Sequence, residues 1–285
     1  MQKGVKFRIY PNKEQQTIIN QTLGCCRLIY NKGLAMRNEA YQNGNKIGYS
    51  QTSAMLTDLK KSDDFAFLKA VDSIALQQSL RDLDRGFVNF FQKRASHPTF
   101  KSKQNHHQSY RTINQGDNIR IVGKYIKLPK SGFVKIRQTM GVEKINNVTI
   151  ERTPTNKYFA VLNVKFEPQP MSNKGGKIGI DVGIKEFYSD SNGNVVYNPK
   201  YLEKSMRKLI REQRKLSRKE KGSTNRNKQR VKVALVHEKI TNQRNDFLQK
   251  QSTMLIRENQ TICIEDLKVK NMMRNHKLAQ HIGSA

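Results

Sequence analysis

The sequence predicts a multidomain α+β protein. A small antiparallel β-barrel with a helical insert is expected first, followed by a domain in which two strands end on carboxylate residues. Three observations support this prediction. Apolar residues recur at helical spacing early in the chain, and short alternating runs dominate its middle. A stretch rich in Pro and Gly, residues 167–176, then reads as a linker. The 285 residues suffice for one large or two modest domains.

The N-terminal part begins with a strand and continues as helices. Residues 5–10 alternate and end at Pro11. Residues 13–41 carry apolar side chains at helical spacing, and so do 71–91. Between them, Ser50 is expected to cap a short helix. Residues 11–95 are therefore predicted as a helical recognition insert, similar to a helix-turn-helix unit.

Short strand-like runs separated by turn signals follow Pro98. The predicted strands are 109–113, 118–122, 125–128, 133–136, 148–151 and 158–166. Many short strands with regular turns favour a small antiparallel barrel. The predicted barrel comprises residues 1–10 and 96–170, so the helices form an insertion between its first and second strands.

Charge indicates the class of partner. The chain has 53 Lys and Arg against 23 Asp and Glu, a formal charge of +30 and a pI of about 10.2. Such an imbalance predicts a polyanionic partner, and nucleic acid is preferred over an anionic membrane because no segment approaches the roughly 20 apolar residues of a membrane span. The three cysteines predict reduced core residues of a cytoplasmic protein, and the absence of Cys-x-x-Cys argues against zinc.

Two basic helices are predicted after the linker, over 201–221 and 231–258. Residues 200–250 hold 17 Lys and Arg but five Asp and Glu. Apolar positions on both helices, including Leu235 and Leu248, predict an antiparallel hairpin with its basic side outward. A merely solvated helix face is the alternative. The candidate phosphate contacts on the first helix are Arg207, Arg211, Arg214, Lys215 and Arg218.

Two strands that end on carboxylates flank this hairpin. Asp181 follows Ile178 and Ile180, and Glu265 follows Ile262 and Ile264. Carboxylates at strand ends can hold the divalent ions of a two-metal nuclease, with Mg²⁺ or Mn²⁺ expected. The pattern is typical of an RNase H-like sheet. The alternatives are that Asp181 is only a turn residue, and that Glu265 or Asp266 caps a last helix starting near Lys268 and running to the chain end.

Several motifs in order carry a family resemblance. The strongest are Gly179-Ile-Asp-Val-Gly183, Asn242-Gln-Arg-Asn-Asp-Phe247 and Ile264-Glu-Asp-Leu-Lys-Val-Lys-Asn-Met272. Others are Lys6-Phe-Arg-Ile-Tyr-Pro11, Arg27-Leu-Ile-Tyr-Asn31, Tyr49-Ser-Gln-Thr-Ser53, Ala75-Leu-Gln77, Pro98-Thr-Phe-Lys-Ser-Lys103, Ser109-Tyr-Arg111 and Lys127-Leu-Pro129. With them the chain resembles the TnpB/OrfB family of transposon-encoded proteins, relatives of type V CRISPR effectors.

The resemblance implies an RNA-guided DNA endonuclease of prokaryotic cytoplasm, associated with the nucleoid. Its expected partners are a guide RNA from the transposon end, double-stranded target DNA and a separate transposase of the same element, with no membrane. It implies a wedge barrel, a recognition insert and, over 171–285, a RuvC-like RNase H-fold nuclease domain. Its metal ligands would be Asp181 and Glu265. Other nucleic-acid contacts would be Lys101, Lys103, Tyr110 and Arg111, with Tyr49, Ser53 and Gln77 at the target-adjacent motif.

One departure from the family pattern concerns the end of the sequence. A zinc ribbon and a third catalytic aspartate are expected after the last helix, but the sequence stops at Ala285. A site with two of three ligands is expected to hold metal poorly. The alternative functions are therefore a nuclease-deficient relative that only binds RNA and DNA, and a direct helix-turn-helix DNA binder that uses no RNA.

Overall fold

A computed structural model describes residues 1–105, 107–142, 144–167, 175–275, 279 and 282. His106, residues 168–174 of the predicted linker and eight residues of the last predicted helix lie outside these residues. The chain divides into two compact units, Met1–Pro168 and Gln169–Ala285, here called the N-terminal and C-terminal units.

Three α-helices and a short 3₁₀ helix form one layer of the N-terminal unit. The helices are α1 (Lys13–Gln42), α2 (Tyr49–Lys61) and α3 (Ser73–Phe91), and the 3₁₀ helix is Asp63–Lys69. Asn12 caps α1, because its side chain accepts a hydrogen bond from the Gln15 N–H at 2.8 Å. Asp72 caps α3 through the Ile74 N–H. The predicted cap at Ser50 is wrong, because α2 already begins at Tyr49.

The second layer is a seven-stranded antiparallel sheet. Its strands are β1 (Gln2–Tyr10), β2 (Gln108–Ile113), β3 (Arg120–Val122), β4 (Tyr125–Leu128), β5 (Gly132–Arg137), β6 (Ile145–Arg152) and β7 (Tyr158–Lys165). They lie in the order β2-β6-β7-β1-β5-β4-β3. The sheet is a curled half-barrel rather than the full barrel that was predicted. The first strand belongs to it, as predicted, and the helices are inserted between β1 and β2.

The helices and the sheet share one hydrophobic core. Phe7 and Ile9 of β1 are buried in the same cluster as Ile19 of α1 and Leu76 of α3. The helices α1 and α3 approach closely at Gly33, where a Cβ atom would lie 2.8 Å from the Leu80 side chain. Burial of this apolar surface supplies the main stabilisation of the N-terminal unit.

The C-terminal unit is a four-stranded sheet with a long helical hairpin. Its elements are β8 (Gly176–Val182), β9 (Glu186–Asp190), β10 (Val195–Tyr197), α4 (Tyr201–Ser217), α5 (Thr224–Glu258), β11 (Asn259–Ile264) and α6 (Val269–Met272). The strand order is β10-β9-β8-β11, with β11 parallel to β8 and the other pairs antiparallel. Helix α5 begins earlier than the predicted residue 231, because Ser223 caps it through the Arg226 N–H.

The cysteines and helices test two predictions from composition. Cys25 and Cys26 are buried and free, as predicted, but Cys263 is exposed, so its predicted place in a core is wrong. It lies on β11, where every residue after Asn259 is exposed. Within the described part of the chain, no helix combines the length and apolarity that a membrane crossing requires.

Candidate metal centre and nucleic-acid surfaces

Asp181 lies at the end of β8, where the strand passes from core to solvent. Ile178 and Ile180 are buried and pack with Tyr188 of β9 and Leu255 of α5. Side chains alternate along a strand, so Asp181 points away from this cluster, and it is exposed. Gly183 then turns the chain tightly, since a Cβ there would lie 2.8 Å from the Glu186 carbonyl oxygen. The local sequence thus positions a carboxylate at the carboxyl end of β8, open to solvent.

Glu265 directly follows β11, which runs parallel to β8, the strand that carries Asp181. Ile264 is paired with Ile180, and the two carboxylates are the next residues of the two strands. Adjacent strands are about 4.8 Å apart, so the two acidic residues lie at the same carboxyl end of the sheet. Glu265 is exposed, and its carbonyl accepts a hydrogen bond from the Leu267 N–H at 3.1 Å as the chain turns.

This pair of carboxylates suits a hard divalent cation. Mg²⁺ is commonly bound through one or two carboxylates together with water and substrate phosphates, and both oxygen donors here are open to solvent. In the ranges that the structure describes, no group of three or more His, Cys, Asp or Glu is placed to hold a metal ion. The arrangement can therefore supply two ligands of a metal centre.

Asp190, a third acid of this sheet, has a structural role that the sequence did not reveal. Its carboxylate accepts hydrogen bonds from the backbone N–H groups of Asn192 and Asn194, and from the Asn194 side-chain amide, each at 2.9 Å. The Asn194 side chain is the main cause that lowers the pKa of Asp190. Asp190 therefore stabilises the β9–β10 turn and has its oxygens occupied there.

Helices α4 and α5 pack as the antiparallel hairpin that was predicted, through a small apolar cluster. Leu209 of α4 is buried with Val236 and Ile240 of α5. Leu235 and Leu248, which were predicted in this seam, are 44% and 38% exposed. The prediction failed at these two positions because helical spacing alone did not fix which stripe of α5 meets α4.

A buried polar contact also joins the two helices. Glu212 of α4 is 7% exposed, and its carboxylate accepts a hydrogen bond from the Gln229 side chain of α5 at 2.7 Å. The same Gln229 amide donates to the Glu212 carbonyl at 3.1 Å. The Gln229 hydrogen bond to the carboxylate, and after it the ammonium of Lys215, lower the pKa of Glu212. The contact fixes the register of the hairpin.

The outer surface of the hairpin is strongly basic. All five predicted contacts are exposed, four on α4 and Arg218 directly after it, although Arg211 and Lys215 each lie 3.4 Å from the Glu212 carboxylate. The structure adds a groove of about 400 Å³ between the two helices, which we call the lysine groove. Its basic residues are Lys204, Lys208, Lys215, Lys232 and Lys239. The sequence prediction missed four of these, because lysines of α4 and α5 meet only through hairpin packing.

The candidate contacts of the N-terminal unit have different exposures. Lys101 and Lys103 are exposed. Tyr110 is only 7% exposed and packs in the hydrophobic core, so little of its side chain is open to a nucleic acid. Arg111 donates a hydrogen bond to Asp82 at 2.5 Å, so its charge is already paired.

The residues predicted for the target-adjacent motif lie on α2 and α3. Gln77 is exposed, whereas Tyr49 and Ser53 are half-buried. Arg81, one turn after Gln77, places its guanidinium 4.4 Å from the ring centroid of Tyr49. Arg81 is therefore an additional candidate on this surface, and no sequence pattern linked it to Tyr49.

Two family models match the chain. One, described as "Probable transposase" of the IS605 OrfB type, covers residues 151–276, and the other, described as a helix-turn-helix domain of the same type, covers residues 1–46. In the structure the second region consists of β1 and α1.

Curated relatives match over nearly all of the chain. A "Putative RNA-guided DNA endonuclease" of Streptomyces pristinaespiralis is 39% identical over 290 residues, which cover 100% of this chain and 72% of that protein. The "Putative RNA-guided DNA endonuclease InsQ" of Escherichia coli K12 is 35% identical over 274 residues, with 95% and 67% covered. Among solved structures, a Cas12f1–sgRNA–target DNA complex aligns at a TM-score of 0.49 and 12% identity, covering 99% of this chain and 86% of that one.

Proposed function

The chain belongs to the TnpB/OrfB family, and from this premise we propose that it acts as an RNA-guided DNA nuclease with a RuvC-like, metal-dependent centre at Asp181 and Glu265. The observation that carries the proposal is the parallel register of β8 and β11, which sets the two carboxylates side by side. Relatives named as RNA-guided DNA endonucleases support the choice of guide RNA and target DNA as partners.

The strand order of the C-terminal unit supports an RNase H-type sheet. Three consecutive antiparallel strands are joined, after a helical crossover, by a fourth strand that lies parallel to the first. A parallel pair requires such a crossover, and here α4 and α5 supply it. The carboxyl ends of β8 and β11 then fall at one edge, the usual place for binding residues in sheets of this kind.

The two carboxylates would hold Mg²⁺ or Mn²⁺ at this edge. When bound, such an ion lowers the pKa of a coordinated water and stabilises the leaving oxygen of a phosphodiester. Asp181 and Glu265 contribute negative charge and hard oxygen donors from two separate strands, so the sheet fixes their separation. Their exposure leaves room for a nucleic-acid phosphate to approach. Asp190 contributes indirectly, because it holds the turn that follows the neighbouring strand.

The basic hairpin would bind the phosphate backbone of the nucleic acid. Ammonium groups interact with phosphates as mobile point charges without reading sequence, which suits a protein whose specificity comes from base pairing. The lysine groove gathers five such groups within one cavity. We therefore assign the groove as the main backbone contact of the C-terminal unit, with the exposed arginines of α4 beside it.

The proposal is tested with protein purified together with its RNA. Sequencing of the bound RNA should give one abundant guide-like species. A matched plasmid should be cut in the presence of Mg²⁺, and slowly, because two carboxylates hold the ion weakly. Asp181→Asn and Glu265→Gln should each abolish cutting while RNA binding persists. Asp266→Asn is the matched control, because Asp266 is also exposed and adjacent to Glu265.

Each outcome separates the candidate functions. Target binding without cutting, unchanged by Asp181→Asn, would contradict the nuclease and leave an RNA-guided binding protein. Tight duplex binding by protein that carries no RNA would instead point to direct DNA recognition. Loss of cutting in Asp266→Asn but not in Glu265→Gln would show that the metal ligands were assigned to the wrong acid.

A further inference from the structure

The junction between α5 and β11, residues 259–261, contains an extra residue that the function proposed so far does not explain. Asn259 is paired with Gly176 of β8. Thr261 is paired with Lys177, the next residue of that strand. Gln260 is therefore one residue more than β8 offers positions for, and the ladder holds a one-residue bulge at this point. Bulges next to functional sites re-aim the side chains that follow them.

The bulge decides which residue of the chain comes level with Asp181. After the bulge, the ladder runs regularly to the pair of Ile264 with Ile180, and Glu265 and Asp181 are the next residues of the two strands. A regular ladder from the start of β11 would instead pair Ile264 with Asp181. Because a slip of one residue turns every side chain to the other face of the sheet, Glu265 would then lie on the face of Ile180.

Close contacts fix the start of β11 against β8. A Cβ atom on Gly176 would lie 2.8 Å from the Asn259 side-chain oxygen and 3.1 Å from the Glu258 carbonyl oxygen, so any side chain there would displace the junction. The Asn259 side-chain amide donates a hydrogen bond to the Leu255 carbonyl at 3.1 Å, which ties it to the last turn of α5. Leu255 in turn packs against the buried cluster of β8 and β9.

The apolar side chains of β11 contribute little to its register. Ile262 and Ile264 are 36% and 68% exposed. Register is strongly specified where one face of a strand is buried, and weakly specified elsewhere. The position of β11 along β8 therefore depends on its start, where Asn259 meets Gly176, and on the number of residues that follow.

We propose that the contact of Gly176 with Asn259, together with the bulge at Gln260, is the positioning element of the metal centre. It acts through the register of β11, which brings Glu265 level with Asp181, and it supplies no ligand itself. The inference rests on the proposed function, which makes these two carboxylates the metal ligands. Ligands must be held within about 0.5 Å of their working positions, whereas a slip of one residue moves a strand by about 3.3 Å.

The test changes the length of the bulge by one residue in each direction. Duplication of Gln260 adds a second extra residue, which a one-residue bulge cannot absorb, so β11 should slip and move Glu265 away from Asp181. Deletion of Gln260 is the matched control, because Thr261 then follows Asn259 directly and a regular ladder keeps the observed register. A connection that only spanned a distance would tolerate both changes alike.

Mn²⁺ binding is measured by paramagnetic broadening of isoleucine methyl signals in NMR spectra of RNA-free protein. The signals of Ile180 and Ile264, the residues directly before the two carboxylates, should broaden at similar Mn²⁺ concentrations in the wild type and the deletion variant. The duplication variant should require at least about tenfold more Mn²⁺, an effect that supporting residues of metal sites commonly show. Nuclear Overhauser effects between these two methyl groups should persist in the deletion variant and disappear in the duplication variant.

A second pair of variants tests the contact at the start of β11. Gly176→Ala should also raise the Mn²⁺ concentration required, because the new Cβ atom would displace Asn259 and the Glu258 carbonyl. Gly179→Ala, on the same strand, is the control. Its Cβ atom would lie 3.6 Å from the Ser191 side chain, an ordinary contact, so the junction should stay in place.

The outcomes separate this inference from the proposed function. Wild-type protein whose methyl signals Mn²⁺ does not broaden, or broadening that Asp181→Asn leaves unchanged, would refute the metal centre itself. Broadening that depends on Asp181 but is unaffected by duplication of Gln260 and by Gly176→Ala would overturn only the positioning role. Equal loss of Mn²⁺ binding in the deletion and duplication variants would also overturn it, by showing that the register is not what these changes act on.

Discussion

Neutralising the lysine groove should flatten the salt dependence of nucleic-acid binding. Of its five lysines, Lys215 lies 3.4 Å from Glu212 and is partly neutralised, so four are counted as free for phosphates. The variant replaces Lys204, Lys208, Lys232 and Lys239 with Gln, a residue of similar helix propensity, so the hairpin should stay folded.

The expected magnitude comes from counterion release. Each neutralised phosphate of duplex DNA contributes about 0.9 to the slope of log K against log salt, so four lysines account for roughly 3.6. Over a fourfold rise in salt, the wild type should lose about 150-fold more affinity than the variant. For a single strand the contribution is about 0.7 per phosphate, and the slope difference falls to about 2.8.

The assay is a salt titration of binding to a labelled duplex, with circular dichroism to confirm helix content. The matched variant replaces Arg207, Arg211 and Arg214 of α4, together with Arg218 directly after it, so it removes the same charge from the arginine surface beside the groove. A larger flattening by the lysine variant supports the groove. A slope unchanged in the lysine variant but flattened in the arginine variant would refute the reasoning and place the backbone on the arginine face.

Three further predictions concern the C-terminal unit: two concern its stability and one concerns the pKa of Glu212. Leu209→Ala should lower the free energy of unfolding, measured in urea, by about 2–4 kcal/mol, because it opens a cavity between α4 and α5. The control, Leu235→Ala, should change this free energy little, since Leu235 is 44% exposed. Asp190→Ala should lower the melting temperature at neutral pH. The pKa of Asp190 is depressed in the folded protein, so its contribution to stability is lost as the pH falls through that folded pKa. A melting-temperature difference between wild type and variant that persists in acid would contradict this. Gln229→Leu should raise the pKa of Glu212 towards its ordinary value, observed by NMR titration, because the Gln229 amide is the main cause of the lowered pKa; an unchanged titration would show that Lys215 and Arg211 suffice.

Local signals predicted most elements of the fold. Helical periodicity predicted α1 nearly to the residue, and an alternating run predicted β4 at its observed bounds. The curl of the sheet and its opening into a half-barrel depend on how seven strands twist together, which no short window of sequence encodes. Tyr110 shows the same limit at the level of one residue. Its alternation with polar neighbours predicts one buried face, but not that α3 would pack against β2, the strand that carries this residue.

Of the two candidate metal ligands, only Asp181 is fixed by local sequence, because strand alternation and buried neighbours act together there. Ile178 and Ile180 fix which way Asp181 points, whatever the partner strand is. For Glu265 the same rule is weaker, because Ile262 and Ile264 are exposed and their side chains do not anchor β11 to a core. The position of Glu265 therefore depends on the backbone pairing of β11 with β8, and on the length of the hairpin that returns the chain. It follows that changes in the α4–α5 packing should act on Glu265 more than on Asp181, since only β11 is connected directly to the end of α5.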